Sequence, residues 1–505
     1  GVIVKSLLLL FILMLAVNAI AQNAFANEQT YPALFPYPQQ VNWQSGSFAL
    51  TADSKIYFNN AQSKKVARYF GDFIQPPTGY LLPVVSFEKA TQSKGYGVKH
   101  LTKKAPENSI TFILTEQSLT QEQMSSVNQK HTQALAGSYQ LSVNGRNIVA
   151  LAENEQGLFY AAQTLRQLFS PEIESRMPIN KAVWQVPAVD IIDFPRFKHR
   201  GMHLDVSRHF FGVEFVKRYI DWLAFHKINY FQWHLTDDQG WRLALKTLPK
   251  LTEIASTRAQ TVVGHTYDYQ SLFDGKPHGG FYSQEQVKDV IDYARERHIE
   301  IIPEVDVPGH STAFLAAYPE FSCHQKPVEV EQRFGIFEQV LCPTEQTFNM
   351  LAKVYQEVSQ LFPSKYIHIG GDEVLKKQWL ESAFVQSLMQ EHGFTSGEQV
   401  QSYFIKRVSK IITSLDKTLI GWDEIIEGGI AKDAVIMSWR GIEGGIAASE
   451  AGHDVIMSPY QYTYLDAYQS RSLDEPKAIL GYLPLKKVYN YEPVPVDLAA
   501  KHQRH

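Results

Sequence analysis

At 505 residues, with 44% hydrophobic and 12% aromatic side chains, the chain is long enough for two or three domains and has the composition of a folded globular protein. Its net charge of −4 comes from dispersed acids and bases with no basic block, which argues against nucleic acid as a partner. In chain order, the first segment reads as a targeting signal. Lys5 precedes an apolar run over 7–17, and Ala24-Phe25-Ala26 offers a small-x-small cleavage site. A signal peptide over 1–26 predicts an exported protein, periplasmic or secreted. The apolar run is too short for a comfortable membrane span, so no stable span is expected; a retained N-terminal anchor is the alternative.

Residues 27–193 mix short strands (110–114, 139–143, 148–151) with helices, one of them over 157–169 with an apolar stripe at helical spacing. This predicts a small α+β domain, and no cluster of catalytic residue types falls within it. From about 194 to 505 the pattern becomes strand then helix, repeated. Strands are predicted at 200–205, 230–235, 299–304, 366–369, 418–422, 434–438 and 454–458. Helices are predicted over 213–227, 283–298, 344–362 and 398–415. Near-continuous apolar strands alternating with helices point to a parallel sheet covered on both faces. The fold class read from this is α/β, a (β/α)₈ TIM barrel whose last strand is missing, preceded by the α+β domain. A chain that starts at Gly1 and stops at His505 before an eighth strand is expected to be a fragment.

Polar residues follow these strands at their C-terminal ends: Asp205 and Arg208, then His234, Asp237 and Asp238, then Glu304, Asp306 and His310. Asp372 and Glu373, Trp422 with Asp423 and Glu424, Trp439 with Arg440, and Tyr464 with Asp466 continue the series. In barrel enzymes that rim carries the active site. Asp372-Glu373 stands behind Gly370-Gly371 at the end of the apolar run Tyr366-Ile367-His368-Ile369. Two neighbouring carboxyls in a cleft suit general acid/base chemistry; the alternative is the first turn of a helix, where acids meet the macrodipole. His203, His234 and His368 lie on strands and are expected to be hydrogen-bonded barrel histidines, with Asp205 and Glu304 as structural charges under the rim.

Cys323 and Cys342 are the only cysteines. In an exported chain one such pair is expected to close a single disulfide loop; two unrelated thiols are the alternative. No ligand spacing for a metal is present, and no metal or other cofactor is expected.

Four ordered motifs resemble the signature of family 20 glycoside hydrolases, the β-N-acetylhexosaminidases. They are Arg200 to Phe210 (RGMHLDVSRHF), His234 to Arg242 (HLTDDQGWR), Pro303 to His310 (PEVDVPGH) and His368 to Glu373 (HIGGDE). The resemblance covers about 31 to 495, including the small N-terminal domain. It implies exo-acting hydrolysis of a terminal, non-reducing N-acetylglucosamine or N-acetylgalactosamine from oligosaccharides, chitin-derived or from glycoconjugates. Configuration is retained, and the nucleophile is the substrate's own 2-acetamido oxygen, which forms an oxazolinium.

By that resemblance Glu373 is the general acid and base, and Asp372 orients and stabilises the acetamide. His310 with Asp237 forms a relay behind Glu373. Trp422 and Trp439 wall the acetamide, Tyr464 donates to its oxygen, Arg200 clamps sugar hydroxyls, and Asp466 accepts from the 4- or 6-hydroxyl. The family also has a Trp and a Glu after its last barrel strand, which this sequence does not reach, so an open pocket wall is expected. Two rivals remain: a non-catalytic carbohydrate-binding barrel, and a barrel glycosidase with a protein nucleophile.

Overall fold

The computed structural model describes residues 31–87, 97–116, 136–180, 183–265, 272–427, 429–430, 432–479 and 481–503. The expected signal peptide lies outside the described residues. The chain divides into two units, Gly1–Lys198 and His199–His505.

The first unit is built on a seven-stranded sheet, β1 (Gln40–Leu50), β2 (Lys55–Phe58), β3 (Val84–Ser86), β4 (Ser109–Leu114), β5 (Tyr139–Val143), β6 (Asn147–Ala152) and β7 (Trp184–Asp193). The spatial order is β1-β7-β5-β6-β4-β2-β3. Central β6 is buried at every position, which requires cover on both faces. Helix α2 (Val98–Lys104) supplies Val98 and Leu101 against Ile113, Val149 and Leu151. Helices α1 (Ala61–Thr78) and α3 (Glu155–Leu168) pack on each other and on β4 and β6. Both start where an asparagine side chain takes an otherwise unpaired backbone N–H: Asn60 accepts from Ser63, and Asn154 from Gly157.

The second unit holds seven parallel strands in sequential order: β8 (Gly201–Asp205), β9 (Tyr230–His234), β10 (Glu300–Glu304), β11 (Tyr366–His368), β12 (Thr418–Trp422), β13 (Val435–Ser438) and β14 (Val455–Met457). Helices α4 (Val213–Phe225), α5 (Gln284–Arg295), α6 (Glu345–Leu361), α7 (Gly397–Ser414) and α8 (Glu443–Glu450) join them in the alternation of a TIM barrel. Ile302, Ile420, Val435 and Met437 fill the layer between strands, with Trp422 above them. Parallel pairing sets Asp205 opposite His234, His234 opposite Glu304, and Glu304 opposite His368. Each of these four is the last residue of its strand, so one level of the sheet's C-terminal edge is made of ionisable groups.

Candidate active site

Glu304 is the hub of that level and has no exposed surface. Gln232 Nε2 donates to its Oε2 at 2.6 Å and Trp422 Nε1 to its Oε1 at 3.2 Å. Ring nitrogens of His234, His368 and His203 stand 2.9, 3.3 and 3.5 Å from the same carboxylate. Burial opposes ionisation, but His234 and His368 outweigh it and hold the carboxyl well below the usual range. His234 responds in kind: burial disfavours its charge, yet Glu304 and Asp205 hold it well above an ordinary imidazole. Glu304 thus stands as a structural charge beneath the rim.

Above it, Thr236–Asp237 pairs with Gly240–Trp241 in a hairpin whose turn is Asp238-Gln239. The turn aims both aspartates at His310. His310 Nδ1 lies 2.9 Å from Asp238 Oδ2 and 3.1 Å from Asp237 Oδ1, while Nε2 lies 3.2 Å from Glu373 Oε2 and 3.6 Å from Asp372 Oδ2. Burial disfavours a charged ring here, but Asp237 and the bonds to Asp238 and Asp372 push His310 well above its ordinary value. Asp237 also takes Arg208 Nη2 at 2.9 Å and His234 Nε2 at 2.9 Å. Arg208 first, then His310, with the His234 hydrogen bond, overcome its burial and hold it well below the usual carboxylate range. Asp238, less prominent in the sequence reading, is the carboxylate in hydrogen-bond geometry to His310, and it also accepts from the Thr312 backbone at 2.9 Å.

Asp372 and Glu373 do not open a helix. The chain is irregular from Ile369 to Lys376, and the next helix begins at Lys377. Gly370 has φ +68°, and a Cβ there would stand 1.7 Å from Asp306 Oδ1. Only glycine allows this approach, which lets Asp306 Oδ1 accept the Gly371 N–H at 3.2 Å. Glu373 itself has φ +49°, a left-handed conformation that costs a side-chain-bearing residue about 1 kcal/mol. Burial first, and Asp372 second, push Asp306 well above the usual carboxyl range. Asp372 Oδ1 and Asp306 Oδ2 are buried with no hydrogen-bond partner among the described residues.

Around this pair stand the aromatic positions. Trp422 is 7% exposed, bonded to Glu304 and set edge-on to His368 at 4.8 Å. Trp439 stacks near Tyr464 with ring centroids 6.1 Å apart and donates to Glu424 Oε2 at 3.0 Å. Burial, reinforced by Asp372, pushes the Tyr464 hydroxyl far up, so it remains a donor. Burial and Asp372 push Glu424 up to about 8. Asp466 lies in the field of His203, Asp205 and Arg208.

Arg200 is not brought to this cluster. It precedes β8, its backbone N–H binds Asn229 Oδ1 at 2.9 Å, and its Nε binds the Lys227 carbonyl at 2.9 Å. These partners lie in the connection entering β9, at the N-terminal edge of the sheet. A five-residue strand separates that edge from Glu373's, roughly 16 Å. The guanidinium at the rim belongs to Arg208, which follows β8. Its Nη1 lies 2.8 Å from Asp205, its Nη2 2.9 Å from Asp237, and its Nε 3.0 Å from Gln239 Oε1. The rule that barrel chemistry sits after strands, not before them, would have selected Arg208.

Cys323 and Cys342 are joined in a disulfide. Asp306, His310 and Asp372 each offer a ligand atom within 4.8 Å of the others. Metal ligands must be deprotonated, and the upward push on Asp306 by burial and Asp372 works against that.

The sequence matches the catalytic-domain model of glycosyl hydrolase family 20 over residues 197–505 and the model of that family's domain 2 over 31–194. The chain belongs to glycosyl hydrolase family 20. Among curated family 20 relatives, a β-hexosaminidase of Porphyromonas gingivalis is 44% identical over 369 residues, covering 73% of this chain and 46% of that protein. A β-hexosaminidase of Vibrio furnissii is 40% identical over 362 residues, covering 71% and 57%. The chain therefore spans about half the length of these relatives. Among solved structures, the family 20 β-N-acetylhexosaminidase of Streptomyces coelicolor superposes with TM-score 0.74 at 27% identity, covering 93% of this chain and 84% of that one. The exo-β-N-acetylglucosaminidase of Vibrio harveyi, solved with N-acetylglucosamine, gives 0.73 at 32% identity, covering 93% and 68%.

Proposed function

We propose that the protein is an exo-acting β-N-acetylhexosaminidase that removes terminal, non-reducing N-acetylhexosamine from oligosaccharides by a retaining, substrate-assisted route. The observation that carries this reading is the placement of Asp372 and Glu373 as sequence neighbours within reach of one histidine nitrogen, His310 Nε2. Glu373 gives its proton to the leaving oxygen as the glycosidic bond breaks. The acetamide oxygen forms the new bond to the anomeric carbon. Asp372 faces the acetamide N–H, which becomes positive in the oxazolinium, with a buried oxygen waiting for a donor. Glu373 then takes a proton from water as the water oxygen opens the ring, and His310 follows each change of charge. Tyr464 donates to the acetamide, and Trp422 and Trp439 exclude water from it.

Arg208 replaces Arg200 as the sugar clamp. Three of its five N–H groups are used by Gln239, Asp205 and Asp237, which leaves one on each terminal nitrogen for hydroxyls. Export is part of the same proposal, supported by the N-terminal pattern and by a disulfide suited to an oxidising compartment. No helix among the described residues is long and apolar enough to cross a membrane. Chitin-derived oligosaccharides are the proposed natural substrates. A thiazoline analogue of the cyclised intermediate tests the mechanism. Competitive inhibition at concentrations far below KM is expected, and no inhibition would point to a protein nucleophile.

A further inference from the structure

The segment closed by the Cys323–Cys342 disulfide does not hang free of the site. Its base is held by the bridge between Ser322 and Leu341 and by the Leu341 N–H on the Pro308 carbonyl at 3.0 Å. Its middle reaches the rim. The Glu331 N–H donates to the Asp238 carbonyl at 3.0 Å, and Gln239 Nε2 donates to the Arg333 carbonyl at 2.8 Å. These contacts fall on the hairpin turn that presents Asp238 to His310. The next residue, Phe334, places its ring over the Arg208 guanidinium, 5.7 Å from ring centroid to guanidinium carbon.

Resting on the hexosaminidase reading, we propose that the disulfide-closed segment is a wall of the substrate site and that Phe334 is the positioning residue for Arg208. Three acceptors hold the periphery of the guanidinium, one at each nitrogen: Gln239, Asp205 and Asp237. The guanidinium carbon stands over the face of the ring. Acceptors and ring together fix the plane in which the two remaining N–H groups point, and a planar fork gains its selectivity from that fixed plane. A ring within about 6 Å also attracts the cation and sheds water from it. Phe334 acts through Arg208, so its effect is on holding the sugar in ground and transition state alike. Such uniform binding appears in KM and leaves kcat.

The test is steady-state kinetics on 4-nitrophenyl N-acetyl-β-glucosaminide. Phe334→Leu, which keeps an apolar side chain without the π face, is expected to raise KM about tenfold with kcat within about twofold. Phe334→Trp is expected to restore the wild-type KM. In an Arg208→Lys background the leucine change is expected to add less than about twofold, because coupled residues are not additive. A Phe334→Leu variant with unchanged KM, or one that multiplies fully with Arg208→Lys, overturns the proposal. If the wild type does not turn over this substrate, the activity reading fails separately. Crystal structures of wild type and Phe334→Leu then decide the positioning claim: a guanidinium that keeps its plane without the ring overturns it, and a rotated one upholds it.

Discussion

Among the described residues, the N-terminal sheet buries a single acidic side chain, Asp193, whereas the barrel buries Glu304, Asp306, Asp237 and Asp238 around one strand-end layer. Asp193 accepts from the Tyr139 hydroxyl, itself in contact with Thr164, at 2.9 Å and from the Gln39 backbone N–H at 3.2 Å. The barrel acids are instead driven in opposite directions. Glu304 is held down among histidines, Asp306 is pushed up by burial and Asp372, and Asp237 is held down against Arg208. A buried charge is expensive unless paired, so a fold tolerates such a layer only where the layer has a use. In the first unit polar burial completes hydrogen bonds. In the second it arranges protons.

The sharpest way to break this contrast is at its chemical end. Glu373→Gln is expected to lower kcat on an aryl N-acetylglucosaminide by about 10³-fold or more, and Asp372→Asn by about 10²- to 10³-fold, measured by steady-state kinetics. Activity surviving Glu373→Gln would remove the acid/base assignment. Next, Glu304→Gln leaves His234 charged and buried without its main counter-ion. A loss of about 3–5 kcal/mol in denaturant unfolding of the protein is expected, and a loss under 1 kcal/mol would show that the hub is not an ion pair.

At the other end of the contrast, Tyr139→Phe removes the buried hydrogen bond to Asp193. It is expected to cost about 2 kcal/mol of stability while kcat and KM stay at wild-type values. A change in kcat would mean that the first unit's polar core is not merely structural. A pH-dependent effect concerns Glu424, pushed from 4.5 up to about 8 by burial and Asp372. A carboxyl raised on folding favours the folded state while protonated. Its contribution is full below 4.5 and is lost as pH rises through about 8. Glu424→Gln is expected to flatten the decline of melting temperature across that window, and an unchanged slope would contradict it.

Much of this was legible locally. The apolar runs at 230–235, 299–304 and 418–422 became β9, β10 and β12 within a residue, because a strand covered on both faces is written as an unbroken apolar stretch. Asp372 and Glu373 stood out because glycines after such a run mark a break at the rim. The Arg200 assignment failed on a simpler point, since a residue before a parallel strand and one after it face opposite ends of the barrel. The Asp205–His234–Glu304–His368 level was not readable, because register between strands far apart in sequence is set by tertiary packing. Asp306 and Glu424 were visible as rim residues, but the upward push on their carboxyls depends on burial and on Asp372, which only the folded chain brings beside them.

The central claim is that the carboxylate pair works with a nucleophile carried by the substrate. The most direct measurement is kcat/KM for 4-nitrophenyl N-acetyl-β-glucosaminide against 4-nitrophenyl β-glucoside, identical except for the 2-acetamido group. Turnover of the first and negligible cleavage of the second is the expected result. Comparable rates on both would contradict the account, because a glucoside carries no acetamide for Asp372 to hold.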